Sequence, residues 1–450
     1  MSKVRFSLSV LLANFSAFAV KKISGSDGTS FPGMVALKFS SKFFQVAQRY
    51  CRKAIINITG TNGKTTTAGV FAHILKKNGN TVIHNQKGAN MLTGIASSLA
   101  KELRMFHAHD YFVLECDEAY LTKLYNFLQA NYLIVTNLFR DQLDRYGELD
   151  STYKKIQDAI DKNPNLKLIL NADDPLTSTL GKDNQKVFFG IEDIIYHDSV
   201  ENSSSPAERV TCSCGADYEY DKLFYAHIGH YKCKCGKKRI TPDYSAKIKI
   251  YSYKTEMIIT HKSVQYGFTT YMPGVYNAYN ALSAIVAALE LGVDKGVIQK
   301  ALNTYEPVFG RAEKIRVKGK NAFVQLIKNP VGATEVLRTI QNTPNSKLLI
   351  VINDNYADGR DVSWLWDADF SLIENFDNEI WVSGERAYDM ALRLQYAGIA
   401  PEKIKVAQNL KAALNTSLSK TKEDETLMIL PTYTALLNMQ KIFKEFAQEG

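Results

Sequence analysis

Apolar positions in this chain follow two alternating rhythms. Short, nearly continuous apolar runs at 54–58, 81–84, 111–115, 132–136 and 167–171 are separated by longer stretches whose apolar residues fall three and four apart. Continuous short runs read as strands covered on both faces, and the stretches between them as helices. From 54 to about 190 this predicts a parallel sheet with helices on both faces. The rhythm resumes after 312, with strands expected at 322–327, 348–352, 379–382, 403–406 and 426–430 and a final helix over 435–448. Between these blocks, 246–272 alternates singly, as antiparallel strands do, and Pro273-Gly274 leads into a helix reaching Leu291. Residues 1–50 read as helical and amphipathic, interrupted at Phe31-Pro32-Gly33. No internal repeat or low-complexity tract breaks this organisation.

A length of 450 residues fits two or three domains, and 45% hydrophobic with 22% charged residues is ordinary for a globular protein. The net charge of +9 suits anionic partners such as a nucleotide or an acidic membrane surface. No long basic run with interleaved aromatics is present, so nucleic acid is not expected as a partner. Lys3 and Arg5 precede an apolar run over 10–20 with Ala17-Phe18-Ala19 near its end, the layout of a secretory signal. The competing reading, adopted here, is a helix packing on the next domain and ended by Lys21 and Lys22. No other stretch is long and apolar enough to span a bilayer.

The most informative stretch is Asn57-Ile58-Thr59-Gly60-Thr61-Asn62-Gly63-Lys64-Thr65-Thr66-Thr67. An apolar strand runs into a glycine turn, then a lysine, a hydroxyl and a helix from Thr65 to about Lys77, which is the layout of a phosphate-binding loop. Glycines let backbone N–H groups face an anion, and the helix N-terminus adds favourable partial charge. Lys64 would reach the β- and γ-phosphates and Thr65 would ligand Mg²⁺. The full spacing wants a glycine where Ile58 stands, so this is a shortened variant. Acidic and amide groups follow the next strands at Glu115-Cys116-Asp117-Glu118, at Asn137 with Asp141 and Asp144, and at Asn171-Ala172-Asp173-Asp174. Strand carboxyl ends are where such sheets bind ligands.

The stretch 196–245 interrupts the pattern. After a linker-like Glu201-Asn202-Ser203-Ser204-Ser205-Pro206 come Cys212-Ser213-Cys214-Gly215 and Cys233-Lys234-Cys235-Gly236. The two pairs resemble the knuckles of a zinc ribbon, with Cys212, Cys214, Cys233 and Cys235 as four thiolate ligands of a structural Zn²⁺. His227 and His230 lie between the knuckles as substitute ligands, although four thiolates suffice. Cys51 and Cys116 stand alone, so no disulfide framework is expected and a reducing compartment is.

Taken together, Gly60-Thr61-Asn62-Gly63-Lys64-Thr65-Thr66, Glu115, Thr136-Asn137 with Asp141-Gln142-Leu143-Asp144, Asn171 to Asp174, Asn277 with Asn280, and Arg311 stand in the order seen in Mur ligases. The chain resembles that family across its middle and last domains. Mur ligases and folylpolyglutamate synthase activate a carboxylate as an acyl phosphate and then form an amide. The resemblance implies a Mur-ligase-type central ATP-binding domain with a parallel sheet at 51–310, carrying a zinc-ribbon insertion at about 205–240. It implies a C-terminal Rossmann-like α/β domain at 311–450, after a hinge at Phe309-Gly310-Arg311, and an N-terminal helical segment at 1–50. It departs from the muramyl ligases in three ways. Nothing before Ala54 is long enough to be their UDP-binding domain. Gln142 stands where they carry a metal-binding histidine, and Ile156 where their carbamylated lysine falls, with Lys154 and Lys155 out of phase. The ribbon, Lys328-Asn329-Pro330-Val331-Gly332 and the loop from Asn353 to Asp361 resemble instead the branch that serves as the ligase subunit of an enzyme amidating the D-glutamate of lipid II.

From that resemblance follow the site roles. Lys64, Arg311 and a Mg²⁺ held by Thr65 and Glu115 would neutralise charge during phosphoryl transfer from ATP. Gly60, Thr61, Asn62, Gly63 and Thr66 would hold the phosphates, and Asn277 and Asn280 the adenine or ribose. Asp361, with Asp358 second, would be the catalytic aspartate handling the proton of ammonia, while Asp354 shares their loop. Asx turns around Gly359 are the structural alternative. No Gly-Xaa-Cys-Xaa-Gly elbow is present, so the nitrogen is expected from a separate glutaminase subunit. An amino-acid-adding ligase of the folylpolyglutamate type and a non-catalytic nucleotide-binding scaffold remain the competing readings. The expected place is the cytoplasm. Residues 1–50 fit a packing helix and a segment at the membrane face equally well.

Overall fold

The computed structural model describes residues 2–24, 30–85, 89–103, 106–139, 148–196, 210–251, 254–307, 310–341 and 346–449. The linker at 201–206, Asp141 to Asp144 and Phe309 lie outside the described residues. Eleven of the seventeen strands lie before residue 271: β1 (Cys51–Thr59), β2 (Val82–His84), β3 (His109–Glu115), β4 (Tyr132–Val135), β5 (Lys167–Asn171), β6 (Lys186–Tyr196), β7 (Glu219–Tyr225), β8 (Ile228–Lys232), β9 (Tyr244–Ile250), β10 (Thr255–His261) and β11 (Val264–Thr270). Nine of them form one sheet in the order β11-β10-β9-β6-β5-β4-β1-β3-β2, and β7 and β8 form a separate hairpin between β6 and β9. Pairing is parallel from β2 through to β9 and antiparallel from β9 to β11. The sheet is therefore mixed, with an antiparallel extension on a parallel body.

Helices α1 (Ser2–Ser24), α2 (Phe31–Phe39), α3 (Phe43–Ala47), α4 (Lys64–Lys77), α5 (Leu92–Glu102), α6 (Glu118–Leu124), α7 (Glu148–Asp161), α8 (Val275–Glu290) and α9 (Lys295–Asn303) accompany this sheet. β1 shows why both faces are covered. Ala54, Ile56 and Ile58 enter a core with α4, α8 and α9, whereas Ile55 enters a second core with α1–α3 and α5–α7. Side chains alternate across a strand, so a continuous apolar run feeds two cores at once. β6 carried no continuous apolar signal because Gly190, Glu192 and Asp193 interrupt it where its register shifts against β9.

The rest of the chain builds a second sheet from β12 (Arg311–Val317), β13 (Lys320–Gln325), β14 (Ser346–Val351), β15 (Ile380–Ser383), β16 (Ile404–Val406) and β17 (Thr426–Pro431), in the order β12-β13-β17-β14-β15-β16. α10 (Pro330–Gln341) and α11 (Ala387–Tyr396) cover one face, and α12 (Leu410–Lys420) and α13 (Tyr433–Glu449) the other. All pairs are parallel except the edge pair β12–β13. β12 escaped the apolar pattern because an edge strand carries charge, here Glu313, Lys314 and Arg316.

Two expectations for the N-terminal segment are corrected. Phe31-Pro32-Gly33 opens α2 rather than breaking a helix, because proline is accommodated in a first turn whose N–H groups lack partners anyway. α1 is also not amphipathic. Phe6, Val10 and Ala13 are fully buried, yet the opposite side exposes Val4, Leu8, Leu11, Phe15 and Phe18.

Candidate active site

The turn between β1 and α4 is built by close approaches. Gly60 has φ +123°, and a Cβ there would lie 2.3 Å from Thr136 Oγ1 and 2.8 Å from the Asn137 carbonyl oxygen. Gly63 has φ +83°, and a Cβ there would lie 1.9 Å from Asn280 Oδ1. Both positions thus need glycine for conformation and for space. The loop is stitched to β4's exit: Thr61 N–H donates to the Asn137 carbonyl at 2.9 Å, Asn62 N–H to Asn137 Oδ1 at 2.9 Å, and Thr136 Oγ1 to the Asn62 carbonyl at 2.7 Å. Three segments singled out by sequence, at 60–66, 136–137 and 277–280, therefore meet at one point.

Lys64 is buried and donates to the Gly60 and Thr61 carbonyls and to Glu118 Oε1, the last at 2.9 Å. Burial disfavours its charge, but Glu118, Asp117 and Glu115 outweigh that and hold its pKa above the usual lysine value. Glu118 also accepts the Gly60 N–H at 3.1 Å. Its carboxylate takes up the loop's donors as a phosphate oxygen would. Burial raises the Glu118 pKa against the pull of Lys64.

Glu115 ends β3 opposite Ile58 of β1. Its backbone is held by Asn85, whose side chain both accepts the Glu115 N–H and donates to its carbonyl at 2.8 Å. Asn90 Nδ2 donates to Oε1 at 3.3 Å, and Oε2 is buried without a hydrogen-bond partner among the described residues. A carboxylate oxygen buried beside the loop is of the type that ligands a hard cation. Thr65 is buried in the first turn of α4. The Arg311 side chain lies outside the described residues, as do Asp141, Gln142 and Asp144. Ile156 is fully buried and Lys154 and Lys155 are exposed, so no lysine is presented at that position.

Asn277 and Asn280 line a cavity between the two sheets, together with Tyr225, Lys328 and Glu335. Asn62 and Asn329 exchange amide contacts across this junction, at 3.0 and 3.4 Å. Glu335, from α10, is pushed up to about 7 by burial, with Arg338 pulling the other way. Nothing in the local sequence marked Glu335, because only the docking of α10 against the first sheet brings it here.

Asp173 organises the back of the site. Fully buried, it accepts from Tyr279 at 2.7 Å, from Ile191 N–H at 2.6 Å and from Arg239 Nε at 2.5 Å. Tyr279 lies on α8 between Asn277 and Asn280, while Arg239 follows the second cysteine pair. One carboxylate therefore ties the insertion to the nucleotide-side helix. Neither Arg239 nor Tyr279 carried a sequence signal.

The four sulfurs of Cys212, Cys214, Cys233 and Cys235 lie within 4.8 Å of one another. Each knuckle turns on a glycine, with Gly215 N–H donating to the Cys212 carbonyl and Gly236 N–H to that of Cys233. The Cys214 backbone amide helps bring the Cys212 thiol down to about 6; Cys233 is pushed up to about 12 by burial and the sulfurs around it, although the Cys235 amide works the other way. Four sulfurs gathered this closely fit a four-thiolate cation site. His227 and His230 are not in the cluster: His227 is fully buried beside Asp174 and Phe139, and His230 bonds the Ile191 carbonyl.

The loop after β14 is held differently. Asp354 pairs with Arg386, whose nearest nitrogen is 2.6 Å away. Asp358 accepts from the backbone N–H of Thr434 at 2.7 Å and so caps the start of α13. Asp361 accepts from Ser363 N–H and Oγ, both at 2.7 Å.

Residues 58–222 match the family described as Mur ligase middle domain, and residues 326–436 the one described as MurT ligase C-terminal. The chain is 35% identical over 98% of its length to the lipid II isoglutaminyl synthase (glutamine-hydrolyzing) subunit MurT of Streptococcus pneumoniae, covering 97% of that protein. It is 33% identical to the subunit of the same name from Staphylococcus aureus, with 92% of each chain covered. Among solved structures it resembles a pseudomurein peptide ligase type C from Methanothermus fervidus, at TM-score 0.69 and 22% identity over 89% of this chain and 80% of that one. It also resembles MurF from Acinetobacter baumannii, at TM-score 0.67 and 17% identity over 93% and 81%.

Proposed function

The chain belongs to the MurT family of Mur-ligase-fold ligases, and from that premise we propose that it amidates the α-carboxylate of D-glutamate in the lipid II stem peptide to D-isoglutamine. ATP with its Mg²⁺ supplies the γ-phosphoryl group that turns this carboxylate into an acyl phosphate. Gly60 to Thr66 hold the triphosphate through backbone N–H groups and the α4 N-terminus. Lys64 leaves Glu118 for the phosphate oxygens, Thr65 and Glu115 hold the cation, Asn277 and Asn280 hold the nucleoside, and Arg311 adds positive charge. Asp361, from the loop it shares with Asp358, takes the proton that ammonia loses as its nitrogen bonds the acyl carbon and phosphate departs.

The nitrogen comes from a second subunit, a GatD-type glutamine amidotransferase. The thiols support this. Cys51 is pushed up to about 11 and Cys116 well above the normal thiol value, both mainly by burial, so neither is a thiolate at neutral pH. The other four are gathered in the sulfur cluster, which we assign to a structural Zn²⁺. The working place is the cytoplasmic face of the membrane, where a lipid-linked substrate is met.

The observation that carries this reading is the convergence of the loop, Thr136-Asn137 and Asn280 in a chain similar end to end to proteins of that name. The purified chain, given ammonium, Mg-ATP and lipid II, should yield the isoglutamine product and ADP. Release of AMP, or product only when an amino acid replaces ammonium, would refute it.

A further inference from the structure

α1 places Val4, Leu8, Leu11, Phe15 and Phe18 at intervals of four and three residues, one stripe along the helix, with 73, 49, 57, 71 and 66% of their surfaces exposed. α2, which packs on α1, also exposes Phe31, Met34 and Phe39, at 46, 50 and 50%. An exposed apolar stripe of this length marks an interaction site. The other side of α1 is committed to the protein: Phe6, Val10 and Ala13 are buried, and Asn14 Nδ2 donates to the Ala100 carbonyl at 2.9 Å. α1 is long and apolar enough to cross a membrane, yet in this packing it lies on the molecule and presents one side outward. The charges of this segment are almost all of one sign. Residues 1–50 hold seven lysines and arginines against one acidic residue, and Arg5, Lys21, Lys22, Lys38 and Lys42 are exposed.

We propose that the outer face of α1 and α2 docks on an anionic bilayer, with the phenylalanines and leucines entering the acyl boundary and the lysines meeting lipid phosphates. Because the opposite side of α1 is covered by the protein rather than by water, its exposed apolar stripe can enter the headgroup–acyl boundary while nearby lysines and arginines meet anionic headgroups. The placement suits the site. α2 packs closely on α5, with Gly33 N–H donating to Ser97 Oγ at 2.7 Å. Just before α5 comes Asn90, which bonds Glu115. The docked face is thus one helix away from the cleft. The inference rests on the proposed lipid-linked substrate only for its use; the docking itself does not require it.

The test is flotation of the full chain without substrate, using phosphatidylcholine vesicles with or without about one-third phosphatidylglycerol. Wild type should float with the anionic vesicles and less so in high salt. Phe15→Ser with Phe18→Ser should lower binding at least about tenfold, since each buried ring is worth about a decade or more, with an unchanged unfolding midpoint. Lys21→Gln with Lys22→Gln should weaken the preference for phosphatidylglycerol. Failure to float, or equal flotation of the phenylalanine variant, overturns the proposal. So does loss of flotation in the complex with the glutaminase subunit, or a dimer that the phenylalanine variant abolishes, since either makes the face a protein interface. Amidation of detergent-dispersed lipid II is measured in parallel: flotation without amidation refutes the proposed function alone, and amidation without flotation refutes the docking alone.

Discussion

β1 and β14 are both interior parallel strands followed by a loop that the chemistry needs, but the two loops are held in opposite ways. After β1 the glycines are pinned by groups from three distant segments, and the loop's donors turn to an anion, here the Glu118 carboxylate. After β14 the carboxylates themselves are engaged: Asp354 with Arg386, Asp358 at the start of α13, Asp361 with Ser363. Tyr356 in that loop is 92% exposed. The phosphate end is therefore preorganised by packing. The aspartate end must exchange local bonds for substrate before it acts, so its residues divide between holding the loop and doing chemistry.

The contrast can be broken by substitution. Lys64→Ala should have the largest effect, lowering ADP release with ammonium and lipid II by about 10³-fold, because it removes the charge the loop is built around. A normal rate would end the reading of this loop. Asp361→Asn should slow amide formation by about 10²-fold, the scale of a lost proton acceptor. If it slows no more than Asp358→Asn, the division within the loop is wrong.

Glu335 lines the cavity beside the first of these loops and sharpens the comparison through pH. Burial pushes its folded pKa up to about 7 from the ordinary 4.5, so the folded state resists its ionisation. Below about 4.5 both states are protonated and the group contributes nothing; stability is lost as pH rises toward 7 and the loss is complete above it. Glu335→Gln should therefore raise stability by about 2–3 kcal/mol at pH 8.5 and leave it unchanged at pH 4, read from urea midpoints. The smallest effect is expected at Asp358. Its replacement by Ala removes a helix cap and should cost about 1 kcal/mol, with a rate change of only a few-fold.

Legibility followed locality. β5 lies at 167–171 as the apolar run placed it, and the phosphate loop opens α4 as its glycines, lysine and hydroxyls implied. Asn277 and Asn280 line the same cavity as Asn62 and Gly63 of the loop. What escaped was non-local. Glu118 reads as a strand-end acid until Gly60 and Lys64 fold against it, and Arg239 reads as one basic residue among several until Asp173 receives it. α1 shows the other failure, because a helix with apolar residues on both sides has a pattern that does not say which side the protein covers.

By itself, then, the chain's order of residues determined the strand–helix alternation, the glycine turn with its lysine, and the paired cysteines, since each depends on neighbours within a turn or two. Only the tertiary structure decided which carboxylate meets Lys64, which aspartates spend their oxygens on the backbone, and which side of α1 is left outside. Those outcomes depend on burial and on contacts between residues tens to hundreds of positions apart, and no short pattern encodes them.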